Sequence, residues 1–237
     1  MWINSVHERY LYIILFIRAE HFSYLENILY SKTKYFSIYI IAKWACPKYD
    51  VGFILDGSGS VHANNWLKEL KFTKEVAKLA KITKDGSRAA VISFASVPKL
   101  KIKFTDHEDY ASFSNAVDSL PFTAGGTNII KALQDGLDEM FVPRIGQQVD
   151  NIRLAFLITD GKDQNAMQKY IDMKKNYKKH DIMLYVIAVG KAKNLAEDKL
   201  KVLDENFLHV TDFNKLEEIF HTRVGKNICK GKYKHRY

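Results

Sequence analysis

The chain has 237 residues, of which 47% are hydrophobic and 27% charged, enough to bury one sizeable core with extensions at its ends. The net charge of +9 is uneven: residues 1–45 carry +2 and residues 221–237 carry +6, which leaves +1 for residues 46–220. The middle of the chain is therefore close to neutral in net charge. The basicity belongs to a tail, which can attract glycosaminoglycans or other polyanions or can stand solvated as a frayed end.

The first 45 residues are rich in Tyr, Phe and Ile without clear periodicity. The apolar runs Tyr10–Ile17 and Tyr35–Ala42 fall short of the ~20 residues that span a bilayer, so no transmembrane span is expected. The second run follows Lys32 and Lys34 and ends near Ala45 in the manner of a secretory signal, although it starts far from Met1 and Lys43 suits a cleavage site poorly. An unfolded extension or a wrongly assigned start reads equally well, and residues 1–45 are set apart from the fold. Cys46 and Cys229 bracket the remainder. Domain termini often lie close together, so a disulfide between them is expected, with two separate thiols as the alternative. Closing so long a loop contributes about 5 kcal/mol in the chain-entropy account, and it implies an oxidising compartment.

From Asp50 onward, strand and helix patterns alternate. Val51–Leu55 is a buried strand by its continuous apolar run. Asn64 and Asn65 offer caps for a helix whose Trp66, Leu70, Val76, Ala77 and Ala80 recur at helical spacing as far as Ile82. Ala89–Phe94 is a second buried strand. Leu100, Ile102 and Phe104 alternate with Lys99, Lys101 and Lys103, the pattern of an edge strand guarded by lysines. A short helix over Asp109–Leu120 follows, and then one opened by Thr127 with the stripe Ile130, Leu133, Leu137 and Met140 or Phe141. Strands over Ile152–Ile158, Ile182–Val189 and Phe207–Val210 alternate with helices over Asp163–Lys178, Leu195–Leu203 and Asp212–Ile228. The last helix buries Phe213, Leu216, Phe220 and Val224. This order predicts a doubly wound α/β domain: a mostly parallel six-stranded sheet with one antiparallel edge strand and helices on both faces. The expected organisation is an extension over 1–45, one domain over 46–229 and a basic tail over 230–237.

The strand Val51–Leu55 runs into Asp56-Gly57-Ser58-Gly59-Ser60, which sets one carboxylate and two hydroxyls at alternate positions on a glycine-softened turn. Thr127 stands in Gly125-Gly126-Thr127-Asn128, and Asp160 follows the strand that ends at Ile158. In an open parallel sheet the carboxyl ends of strands share one edge, where ligands bind, so these loops can converge. Taken singly, Thr127 and Asp160 read more simply as helix caps, and Asp163 as a cap or first-turn charge. Taken together, two carboxylates and three hydroxyls suit a hard, partly hydrated divalent cation with an open coordination position. A phosphate loop would need Gly-Lys-Ser/Thr where Ser60-Val61-His62 stands. His62, His107, His180 and His209 show no metal-ligand spacing, and no nucleophile–base set is present.

The strings Phe-Ile-Leu-Asp-Gly-Ser-Gly-Ser, Gly-Gly-Thr-Asn and Leu-Ile-Thr-Asp-Gly-Lys resemble those of the von Willebrand factor type A domain, whose metal-ion-dependent adhesion site has the pattern Asp-x-Ser-x-Ser, a distant Thr and a distant Asp. The resemblance covers about Asp50 to Cys229, and the bracketing cysteines are most similar to those of the extracellular members, such as matrix collagens and matrilins. It implies that Ser58 and Ser60 bind Mg²⁺ (or Mn²⁺ or Ca²⁺) directly, that Thr127 does so in a ligand-engaged state, and that Asp56 and Asp160 act through water. It implies further a sixth ligand from an acidic residue of a protein partner, such as collagen or another matrix protein, and in some members a moving last helix, which a disulfide at Cys229 would restrain. The expected function is a secreted, non-enzymatic adhesion or matrix-binding module. The alternatives are an intracellular Mg²⁺-dependent assembly module and heparin binding through residues 230–237. A metal-dependent hydrolase would need a general base beside the cation, and the sequence offers none. Nucleic acid is not an expected partner on so short a basic tail.

Overall fold

The computed structural model describes residues 47–142, 150–161, 164–190, 197–204 and 207–225. Six strands form one sheet in the order β3-β2-β1-β4-β5-β6. β1 (Tyr49–Asp56) lies at its centre, parallel to β2 (Arg88–Phe94) on one side and β4 (Ile152–Thr159) on the other. β5 (Ile182–Val189) and β6 (Leu208–Val210) continue in parallel, and β3 (Lys99–Ile102) is the one antiparallel strand, at the edge. The sheet therefore has the predicted architecture.

Every residue of β1 is buried. A parallel strand needs a continuous apolar run because helices cover both of its faces. On one face, Val51, Phe53 and Leu55 pack with Trp66, Leu70 and Val76 of helix α1 (Ala63–Ala80). Phe113 of α2 (Tyr110–Asp118) and the C-terminal residues Phe213, Leu216, Phe220 and Val224 complete this layer. On the other face, Ile54 and Ile92 meet Leu133 of α3 (Ile129–Asp135), Tyr170 and Met173 of α4 (Met167–Lys179) and Leu200 of α5 (Glu197–Leu203). Gly52 is the exception to the apolar run. A β-carbon there would lie 2.4 Å from Met140 Sδ, so the strand gives up a side chain to let the π-helical turn Gly136–Phe141 press against it.

Several local expectations are corrected. Asn64 and Asn65 do not cap α1; His62 occupies that position without a side-chain cap, and Asn65 Nδ2 donates instead to the Val61 carbonyl at 2.8 Å. The helix after β4 starts at Met167 rather than at residue 163, and Asp163 lies outside the described residues. The final helix is not regular: a 3₁₀ turn (Phe213–Lys215), one α turn (α6, Leu216–Ile219) and a π-helical turn (Phe220–Val224) succeed each other, although the buried stripe is the expected one. Cys46, Cys229, residues 1–45 and the tail 230–237 all lie outside the described residues, as do the disulfide and tail readings that depend on them.

At the amino ends of the strands Asp50 is buried and fully answered. Arg88 donates to it through Nε at 3.0 Å and Nη2 at 2.7 Å, and Asn151 Nδ2 donates at 2.9 Å. The carboxyl ends of the same strands are built differently.

Candidate cation site

The site lies where the sheet order reverses, at the carboxyl ends of β1 and β4, where connections leave in opposite directions and open a crevice. Hydrogen bonds tie three loops together there. Gly57 N–H donates to the Phe94 carbonyl at 2.7 Å and Gly59 N–H to the Gly125 carbonyl at 2.9 Å, which joins the Asp56–Ser60 turn to the loop that carries Thr127. That loop needs unusual backbone: Ala124 and Gly125 have φ of 55° and 106°. Ser96 Oγ holds it from outside by accepting from Gly126 N–H at 2.9 Å. The third loop is tied through Thr159, whose hydroxyl donates to Asp56 Oδ2 at 2.6 Å and accepts from Gly161 N–H at 3.0 Å.

Asp56 is the hub of this network. Its side chain is inaccessible, and its Oδ1 accepts from Ser58 N–H at 2.9 Å. Ser58 and Ser60 bring their Oγ atoms within 3.2 Å of each other. Thr127 is half-buried at the rim and takes no part in capping α3, a role filled by Asn128 Oδ1, which accepts from Lys131 N–H at 3.1 Å. Asp160 caps no helix either: α4 begins at Met167 after Ala166. Asp160 is 8% exposed, and its Oδ1 has no hydrogen-bond partner among the described residues. The helix-cap readings of Thr127 and Asp160 therefore fall.

The electrostatics are one-sided. Burial pushes the Asp56 carboxyl up to about 6; hydrogen bonds from Thr159 and Ser58 pull it back, and the Asp160 charge adds to the rise. Glu69 of α1, also inaccessible, faces the same group. Burial raises it well above the usual carboxylate range, the Asp56 and Asp160 charges raise it further, and only the Asp56 main-chain amide opposes them. Among the described residues no three His, Cys, Asp or Glu side chains make a ready metal cage, so hydroxyls have to complete any ligand set here. A cation fits such a site: Asp160 Oδ1 and both Glu69 oxygens lack partners, the Ser58 and Ser60 hydroxyls lie side by side on the Asp56 turn, and among the described residues the basic group that Asp50 enjoys at the other pole has no counterpart.

Sequence reasoning missed Thr159 and Glu69. Thr159 sits beside Asp160 at a strand end, and nothing in the pattern says that its hydroxyl points back to β1. Glu69 could have been found, because it falls on the same helical stripe as Trp66, Leu70 and Thr73, where a carboxylate is out of place.

This fold and this crevice define an open α/β domain of the type that carries its ligand site at the strand ends. Residues 50–222 match the von Willebrand factor type A domain family, and the chain belongs to it. Among curated relatives it is 29% identical to the collagen alpha-1(XII) chain of Notophthalmus viridescens over 185 residues, and 26% identical to matrilin-3 of Gallus gallus over 175 residues. These matches cover 76% and 72% of this chain but only 19% and 38% of the relatives, so the chain spans well under half the length of either. Among solved structures, proximal thread matrix protein 1 from the mussel byssus superposes with a TM-score of 0.68 at 24% identity, covering 78% of this chain and 47% of that one. A second structure of that protein, described as having a zinc-occupied MIDAS motif, gives 0.67 at 16% identity over 78% of this chain and 48% of that one.

Proposed function

We propose that residues 46–229 form a non-enzymatic adhesion or matrix-binding module that holds a protein ligand through a divalent cation. The observation that supports this reading is the hydrogen bonding that ties the Asp56–Ser60 turn to the loop carrying Thr127 and, through Thr159, to the strand end before Asp160, around buried carboxylates without a basic partner among the described residues. Ser58 and Ser60 would hold the cation directly. Their 3.2 Å separation suits adjacent ligands of an ion bound at 2.0–2.5 Å, a range that takes in Mg²⁺, Mn²⁺ and Ca²⁺. Asp56 would act through water, since Ser58 N–H and Thr159 Oγ occupy its two oxygens. Asp160, with a free Oδ1, would order a second water, and Thr127 would close the set at the rim. A bound cation supplies Lewis acidity: neutral hydroxyl ligands leave it electron-poor, so it gains from a carboxylate offered by a partner.

Support for a matrix or adhesion role comes from relatives that include collagen, matrilin and integrin alpha chains, and a cation at the corresponding motif is stated for the mussel thread protein. No helix among the described residues is long and apolar enough to cross a membrane. Secretion and a Cys46–Cys229 bridge belong to the same reading. The test is solid-phase binding to fibrillar collagens and other matrix proteins with Mg²⁺, with Mn²⁺ and with chelator. We expect binding that chelator abolishes and that Asp56→Ala reduces at least tenfold while the circular dichroism spectrum is kept. Cation-dependent binding that survives Asp56→Ala in a folded protein would overturn the mechanism.

A further inference from the structure

We propose that Glu69 is a sixth residue of the cation site, an outer-sphere carboxylate that accepts hydrogen bonds from cation-bound water and raises the site's affinity for divalent cations. The inference rests on the five-residue reading above and adds to it a side chain from helix α1.

Glu69 lies in the larger core cluster's territory, between Trp66, Leu70 and Thr73 on the buried stripe of α1. Its relative exposure is 0%, and neither Oε1 nor Oε2 has a hydrogen-bond partner among the described residues. Thr73 Oγ1, one helical turn further along the same stripe, is also buried without a partner. A bare carboxylate in such a place costs several kcal/mol, and a hydrophobic residue of similar volume would remove that cost. The neighbouring helix lysines do not answer it: Lys68 Nζ donates to Asn65 Oδ1 at 2.9 Å, and Lys71 Nζ turns outward to Glu217 at 2.9 Å. The charges that do face Glu69 are Asp56 and Asp160, both negative. Asp56, Glu69 and Asp160 thus form a buried acidic set that a cation would answer and that burial otherwise drives toward protonation.

Its place in the fold makes the contact indirect. Glu69 is nearly two turns into α1, on the stripe that packs against the core, and the Asp56 main chain is the only group that eases its ionisation. No three-carboxylate cage exists among the described residues, so Glu69 is an orienting group for water and not a direct ligand. Buried water needs two to four polar partners, and the Glu69 oxygens and Asp160 Oδ1 are the buried acceptors left to take that part.

The experiment is calorimetric titration of the chelator-treated full chain with Mn²⁺, comparing wild type with E69Q, E69D and D160N. E69Q keeps the shape of the side chain and removes its charge. We expect it to weaken Mn²⁺ binding at least fivefold, with E69D closer to wild type than E69Q. In chelator, E69Q should melt at or above the wild-type temperature, because a neutral amide of the same shape replaces a buried carboxyl whose ionisation burial opposes. Mn²⁺ affinity of E69Q within twofold of wild type overturns the proposal, and so does a fall in melting temperature that is equal with and without Mn²⁺. Should E69Q not fold, E69M fills the same space without charge and is held to the same fivefold threshold. If wild type itself binds no Mn²⁺, the five-residue reading fails with it. If wild type binds, D160N weakens binding and E69Q does not, only the role of Glu69 fails.

Discussion

Asp56 has to be buried to organise the three loops, and its carboxylate meets that requirement at a cost the cation would relieve. Its carboxyl sits near 6 in the folded chain against 3.8 when exposed, with burial as the main cause. The folded state therefore holds this proton more tightly than the unfolded chain. The associated stability is complete below about 3.8 and is lost as pH rises through about 6. Over that window the loss is about 3 kcal/mol, from roughly 1.4 kcal/mol per unit. Exposed Asp109 and Asp212 have lowered values and slope the other way, so the isolating measurement is a difference. In chelator, urea denaturation should show wild type losing stability relative to Asp56→Asn between pH 4 and 6.5. A wild-type-minus-variant difference that is flat over that range would refute the burial cost. Adding Mn²⁺ at pH 7 should raise the wild-type urea midpoint more than that of the variant.

At the scale of elements, the turn from β1 into α1 stores strain beside the candidate site. His62 precedes the helix with φ 64° and ψ 151°, a region that only glycine occupies without penalty. Its side chain caps nothing. His62→Gly should stabilise the domain by about 1 kcal/mol, the relief of strain less the extra freedom that glycine gives the unfolded chain. Thermal unfolding checks this, and a lower melting temperature would show that the histidine makes a contact outweighing its backbone. This conformation was not legible in the sequence, because histidine carries no signal for a glycine-like backbone. Period and composition did reveal the six strands, since parallel strands buried on two faces must read as apolar runs. They also pointed to the carboxyl ends of β1 and β4, where the structure ties the Asp56–Ser60 turn to the loop that carries Thr127. They failed where hydrogen bonding departs from the 3.6-residue period. The turns Gly136–Phe141 and Phe220–Val224 keep the same buried stripe as a regular helix while changing its winding. Thr127, read from the sequence as the residue that opens α3, gives up the cap to Asn128, and only the Asn128–Lys131 bond distinguishes them.

Across the whole molecule, the two ends of the sheet treat buried carboxylates in opposite ways. At the amino end, Asp50 is closed by Arg88, whose guanidinium also lies 5.4 Å from the Phe104 ring centre. At the carboxyl end, Asp56, Glu69 and Asp160 have no such group among the described residues. One pole is sealed for structure, and among the described residues the other is left short of positive charge. Asp56 lies six residue steps along the strand from Asp50, about 20 Å at the usual rise, and sites that far apart contribute independently. Arg88→Met therefore tests the division. Removing one partner of a buried pair strands the other charge and costs about 3–5 kcal/mol, or roughly 10 °C in melting temperature for a domain of this size. The Mn²⁺-induced rise in melting temperature should be the same in Arg88→Met as in wild type, because the lost pair belongs to the sealed pole. Differential scanning of both proteins with chelator and with saturating Mn²⁺ gives the four temperatures needed. A cation shift that shrinks by more than half in Arg88→Met would mean that the two poles are coupled through β1, and that the acidic end does not act as a separate site.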